Sequence, residues 1–145
     1  MVLTHRRAKP PFVVWQAGKS FRREIDQPTK HMRLKEFYQQ EFRCVYTEDT
    51  KNNYHANIIG DVEIMIRDIV ALPTRQIPSD RLPSYSLKTT DIEVDNADKW
   101  MEVCSVSTRK DFNEMKNYNG KKLIVLEIAI GLDRIIYNTN IRKKL

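Results

Sequence analysis

From Met32 to Tyr46 the side chains alternate so that Tyr38, Phe42, Cys44 and Tyr46 project from one face of an extended chain and Phe37, Gln39 and Glu41 from the other. A period of two does not fit a helix, so this stretch demands a long strand. Its first face is apolar enough to pack, which leaves the second free to carry chemistry. Upstream, Phe12–Trp15 and Lys19–Ile25 read as strand broken at Gly18, and the cluster from Asp26 to Lys30 reads as a loop by its turn residues. A hairpin follows. Arg22 and Glu24 are two apart, as are Lys35 and Phe37, so each couple shares a face of that hairpin. Cations suit a triphosphate, a carboxylate can accept from an exocyclic amine, and an aromatic ring can lie against a purine. The face therefore suits a nucleotide, and a solvated charged hairpin would display the same residue types.

Beyond the hairpin, Glu48–Tyr54 is polar and loop-like, while Val62, Met65, Ile66, Ile69 and Val70 recur at three and four. That spacing predicts an amphipathic helix from Asp61, stopped before Pro73, covering the back of the sheet. Residues 74–90, with Pro78, Pro83 and several serines, read as an irregular connection. Asp91–Val94 and Trp100–Val106 read as strands across a polar turn, Arg109–Asn117 as a short helix, Leu123–Ala129 as a buried strand, and Leu132–Arg142 as a helix begun at Gly131. The expected fold class is α+β, an antiparallel sheet with helices packed on one side.

The length of 145 residues allows one sizeable core, and the expectation is a single domain over 1–145 with 1–11 a flexible basic lead-in. A net charge of +6 favours a polyanionic partner such as RNA, the alternative being a merely basic surface. No apolar run approaches the roughly 18 residues that span a bilayer, and the basic start has no apolar core of a leader, so a cytoplasmic protein without a membrane partner is expected. Cys44 and Cys104 stand in no paired-ligand spacing and the histidines are scattered, which argues for free thiols rather than zinc.

The segment Phe21-Arg22-Arg23-Glu24, a loop, then Arg33-Leu34-Lys35-Glu36-Phe37 ending in Glu41 resembles the second signature motif of class II aminoacyl-tRNA synthetases, the glycyl-tRNA synthetases in particular. There the pattern is F-R-x-E, a loop, and R-x-R-E-F, with Lys35 the departure here. Val125–Ile135 resembles the third motif, and Trp100–Arg109 resembles the family's W-x-E-x-x-G-x-A-x-R strand. The resemblance implies activation of a small amino acid, glycine first and serine second, by ATP and Mg²⁺, with tRNA as the acceptor. Arg22 would bridge the α-phosphate and the substrate carboxylate, Glu24 would accept from the adenine amine, Arg33 would hold the γ-phosphate, and Phe37 would stack under the base. Arg134 would reach the γ-phosphate or cover the base from the other side. Glu41, Glu102, Glu127 and Ala129 would form the amino-acid subsite, with Glu127 also a ligand for magnesium.

Each assignment has a plainer counterpart. Phe37 suits a core, Arg134 a solvated helix, and Glu102 an ion pair with Arg109 or Lys110. The chain also departs from the family: nothing matches the first motif or an anticodon-binding domain, Ala129 stands where the family has serine, and Ser105 where it has glycine. A non-catalytic paralogue that binds RNA or a protein, a fragment of a longer or split enzyme, and a homodimer or a longer partner chain are therefore carried beside the enzyme reading.

Overall fold

The computed structural model describes residues 8–23, 32–48, 53–80, 82–111 and 119–142. Glu24, the loop after it, the polar residues 49–52, most of the expected helix after Arg109 and the last three residues lie outside the described residues. The elements in chain order are β1 (Phe12–Phe21), β2 (Glu36–Thr47), α1 (Tyr54–Val70), β3 (Thr74–Pro78), β4 (Ser86–Asp95), β5 (Trp100–Arg109), β6 (Leu123–Gly131) and α2 (Leu132–Arg142).

The strands form one antiparallel sheet in the order β1-β2-β6-β5-β4-β3, with both helices on one face, as the α+β expectation required. Alternation assigns the faces. Ile128 and Ile130 of β6 turn toward the helices with Cys104 and Val106 of β5, and Ile59, Ile66 and Val70 of α1 close over the layer. Ile66, Val70, Val106 and Leu126 are fully buried, so this layer is the core. No helix among the described residues is long and apolar enough to cross a membrane.

Five features differ from the sequence reading. β1 runs unbroken through Gly18, because the ladder to β2 continues across the Gly18–Gln39 pair. β2 begins at Glu36 rather than Met32, since Met32 has φ 56° and a left-handed residue interrupts a strand. α1 begins at Tyr54, seven residues before the expected Asp61, because the Asn53 side chain accepts from the Ala56 N–H and His55 joins the buried face. Residues 74–90 are not an irregular connection. They hold β3 and the first half of β4, and Arg109 closes β5 rather than opening a helix.

β5 carries one further irregularity. Ile92 pairs with Cys104 but Glu93 pairs with Glu102, so Val103 is an extra residue and the strand bulges there. Strict alternation would set Glu102 on the face of Cys104, toward the helices. The bulge turns it to the opposite face.

Candidate active site

The face of the sheet away from the helices forms a cleft of about 630 Å³. Its floor is ordered in rows that cross the strands. Glu41, Ala129, Ser105 and Asp91 are successive Cα partners on β2, β6, β5 and β4, and Arg43, Glu127, Ser107 and Thr89 make the adjacent row. Phe37 and Gln39 extend the floor along β2, while Arg22, Arg33 and the segment around Tyr85 form the rim. Arg134 enters from the first turn of α2, which starts where β6 ends.

Every sequence-predicted site residue within the described part lines this cleft: Arg22, Arg33, Phe37, Glu41, Glu102, Glu127, Ala129 and Arg134. Glu24 is outside the described residues. Phe37 is not core. Its ring faces the cleft with the Arg22 guanidinium 5.0 Å from its centroid, a cation–aromatic pair at the edge of the sheet. The Arg22 N–H donates to the Lys35 carbonyl at 2.9 Å, which holds the two arms of the hairpin together beyond the strand ends. Arg23 and Lys35 are exposed, as surface charges should be.

The carboxylates differ in how their charge is met. Glu127, only 5% exposed, accepts a short bond from Arg109 Nη1, and Arg43 Nε lies 3.3 Å from the same oxygen. Arg109 also grips Asp111 with Nε at 3.0 Å and Nη2 at 2.6 Å, and its guanidinium lies 4.2 Å from the Tyr85 ring centroid. The bond to Asp111 and then that to Glu127 hold the Arg109 pKa above that of a free guanidinium, against the opposing effect of burial. Glu41 accepts from Gln16 at 2.8 Å and has Arg43 at 3.7 Å. Glu93 takes Arg75 Nε at 2.8 Å and Nη2 at 2.7 Å.

Glu102 does not pair with Arg109 or Lys110. Its partner is Arg134, whose Nη1 donates to the Glu102 carbonyl at 2.6 Å and stands 3.8 Å from the carboxylate. The side chain is 46% exposed to the cleft, yet desolvation by the surrounding walls pushes its carboxyl above the usual range, and Asp91 and Glu93 add to the push while Arg134 and Arg22 oppose it. Asp91 accepts a short bond from the Ser105 hydroxyl.

Both guanidinium groups, of Arg109 and Arg43, approach Oε2 of Glu127, so Oε1 is the oxygen that would be left for a magnesium ion held jointly with substrate phosphates. Sequence reasoning missed Asp91, Glu93 and the hydroxyls of Thr89 and Ser107. The alternating acids at 91 and 93 were the available sign, but only the register shows that they face the cleft.

No protein-family model matches the chain. The curated glycine–tRNA ligases of Mycoplasma capricolum and Mycoplasmopsis synoviae are 29% and 32% identical over 150 and 149 residues, each covering 90% of the chain. That of Cutibacterium acnes is 31% identical over 155 residues and 92% of the chain. The chain spans about a third of the length of these relatives, 33% in each case. Among solved structures, the prolyl-tRNA synthetase of Cryptosporidium parvum, crystallised with halofuginone and AMPPNP, superposes with a TM-score of 0.73 at 18% identity, over 91% of this chain and 30% of that one. At that identity the superposition speaks for the fold. With the glycine–tRNA ligase relatives covering nine-tenths of its sequence and a synthetase sheet matching its architecture, the chain belongs to the class II aminoacyl-tRNA synthetases as a catalytic core.

Proposed function

We propose that the cleft binds ATP beside a small amino acid, glycine first, and joins them into an aminoacyl-adenylate with release of pyrophosphate, the activating half of a tRNA ligase reaction. The observation that carries this reading is the division of one cleft into two chemistries. A cation–aromatic pair, Arg22 on Phe37, occupies one end, and a floor of small residues flanked by carboxylates occupies the other. In this reading a substrate carboxylate oxygen attacks the α-phosphorus, the bond to the bridging oxygen of the β-phosphate breaks, and the electron pair leaves on pyrophosphate. Charge builds on the phosphoryl oxygens, so oriented cations supply most of the rate.

Arg22 leaves the face of Phe37 to the adenine and moves toward the α-phosphate and the substrate carboxylate. Glu24 takes the adenine amine, and Arg33 and Arg134 hold the distal phosphates. Transfer of the activated amino acid to a tRNA end completes the reaction.

The test is amino-acid-dependent exchange of pyrophosphate into ATP, run with glycine, serine, alanine, threonine and proline. Glycine should give the highest rate. Arg22→Ala should cut that rate by about a hundredfold with an unchanged melting temperature, since an oriented charge donor acts on the transition state. Exchange that survives Arg22→Ala would refute the role of Arg22, and a preference for proline or a large side chain would refute the small-substrate reading. Absence of exchange with every amino acid would favour a non-catalytic relative.

A further inference from the structure

We propose that Asp133 is a positioning residue for the nucleotide: its carboxylate holds the backbone of β2 so that the Phe37 ring stands where an adenine would stack. The inference rests on the adenylate-forming reading above and adds to it a residue that acts on the ligand only through Phe37.

The β2–β6 ladder reaches Gln39–Gly131, and the next residue, Leu132, begins α2. β2 runs on past that pair, through Tyr38 and Phe37 to Glu36, without β6 beside it. There Asp133 Oδ2 accepts from the Tyr38 N–H at 2.6 Å, so a side chain of α2 continues the pairing where the strand has ended. A charged acceptor makes this one of the stronger kinds of hydrogen bond. The N–H belongs to the planar peptide that joins Phe37 to Tyr38, so holding it limits how Phe37 can turn about its own backbone. Side chains alternate along the strand, so Tyr38 points away while Phe37 points into the cleft, where its ring centroid lies 5.0 Å from the Arg22 guanidinium.

The first turn of α2 is tied down on its other side as well. Arg134 Nη1 donates to the Glu102 carbonyl of β5 at 2.6 Å, and the amide of the buried Asn138 donates to the Arg134 carbonyl at 2.7 Å. Consecutive residues thus grip β2 and β5, the two neighbours of β6, which are about 10 Å apart at ordinary strand spacing. Asp133 fixes the wall for the base, and Arg134 keeps its own anchor for the phosphates. Loss of Asp133 should therefore be felt by the base and not by the phosphates. An acid in the first turn also suits the positive end of a helix. That role is separable, because it needs the charge, whereas the bond to Tyr38 needs only an oxygen.

The experiment is calorimetric binding of ATP and of inorganic tripolyphosphate, which lacks the base. Wild-type protein should bind ATP the more tightly. Asp133→Ala should weaken ATP binding by about tenfold, the scale of one hydrogen bond to a charged group, with tripolyphosphate unchanged. Asp133→Asn, which keeps an oxygen acceptor and drops the charge, should restore most of the loss. Unchanged ATP affinity in Asp133→Ala, an equal loss for both ligands, or an Asn variant as weak as the Ala one overturns the role of Asp133 alone. A wild type that binds neither ligand, or binds ATP no better than tripolyphosphate, overturns the stacking of adenine on Phe37 and this assignment together. Should Asp133→Ala not fold, Asp133→Glu decides. It keeps the charge at the helix start and carries the oxygen a methylene too far, so it should repeat the selective loss of ATP, and wild-type affinity or an equal loss for both ligands refutes the proposal.

Discussion

Two side chains carry most of what can be tested at the scale of single residues. Arg109 neutralises Glu127 and ties it to Asp111, with both members of the Arg109–Glu127 pair largely buried. Arg109→Met should therefore destabilise the fold by about 3 kcal/mol, because removing one partner strands a buried charge. Urea denaturation measures this, and the double variant with Glu127→Gln should recover part of the loss; a cost under about 1 kcal/mol would mean that Arg43 alone suffices. His55 makes the opposite kind of demand. Its ring nitrogens lie 2.9 Å from the Thr108 hydroxyl and 3.2 Å from that of Thr90, and burial, then Lys88, hold its pKa below 6.5. The unfolded imidazole takes a proton near 6.5 while the folded one resists, so below that pH the unfolded state binds more protons. Stability contributed by His55 is full above about pH 6.5 and falls as the pH drops from there toward the depressed folded value. Melting temperatures at neutral and mildly acidic pH should show a smaller acid loss in His55→Gln than in the wild type. That Phe37 and Glu41 share the cleft face was legible in the sequence because four residues separate them along one strand. That Asp91 faces the same cleft was not, since only the register of β4 against β5 shows it.

Elements were legible where periodicity was strong and illegible where polar groups are buried. β2, β5, β6 and α2 follow their side-chain pattern to within a few residues, whereas 74–90 looked like a connection for two physical reasons. Pro78 lies at the end of the outermost strand, where a missing donor breaks no ladder. In β4, Ser86 and Thr89 are buried yet polar, and the Thr89 hydroxyl bonds to those of Ser86 and Ser107, so the strand lacks the apolar alternation by which strands are found. The end of α1 offers a cleaner test. Ala71 caps the helix with φ 48°, and its N–H donates to the Arg67 carbonyl at 2.7 Å. An L-residue is held there in a left-handed conformation that glycine adopts without steric cost. Ala71→Gly should stabilise the protein by about 0.5–1 kcal/mol, a rise of a few degrees in melting temperature, and a decrease would mean that the alanine methyl packs more usefully than its backbone strains.

At the scale of the whole molecule, a net charge of +6 bears on the proposed tRNA partner. Association with tRNA should be weak and fall steeply as salt rises from about 50 to 200 mM, since phosphate contacts release counterions. Filter binding measures the slope, and binding that ignores salt would reveal a recognition surface built on something other than charge. The strand order has a different consequence, one of timing. Among the described strands β6 is the latest in sequence, yet it sits in the middle of the sheet, joining the β1–β2 ribbon to the β3–β4–β5 meander. During synthesis those two pieces wait with open edges, one holding Phe37 and Glu41 and the other Asp91 and Ser105, and neither owns a cleft. Closure between strands so distant along the chain is slow compared with local hairpin formation. A chain halted at Lys122 should show little protection of its amides from exchange, and the cleft should appear in a single late step when Leu123–Gly131 slots between the two halves.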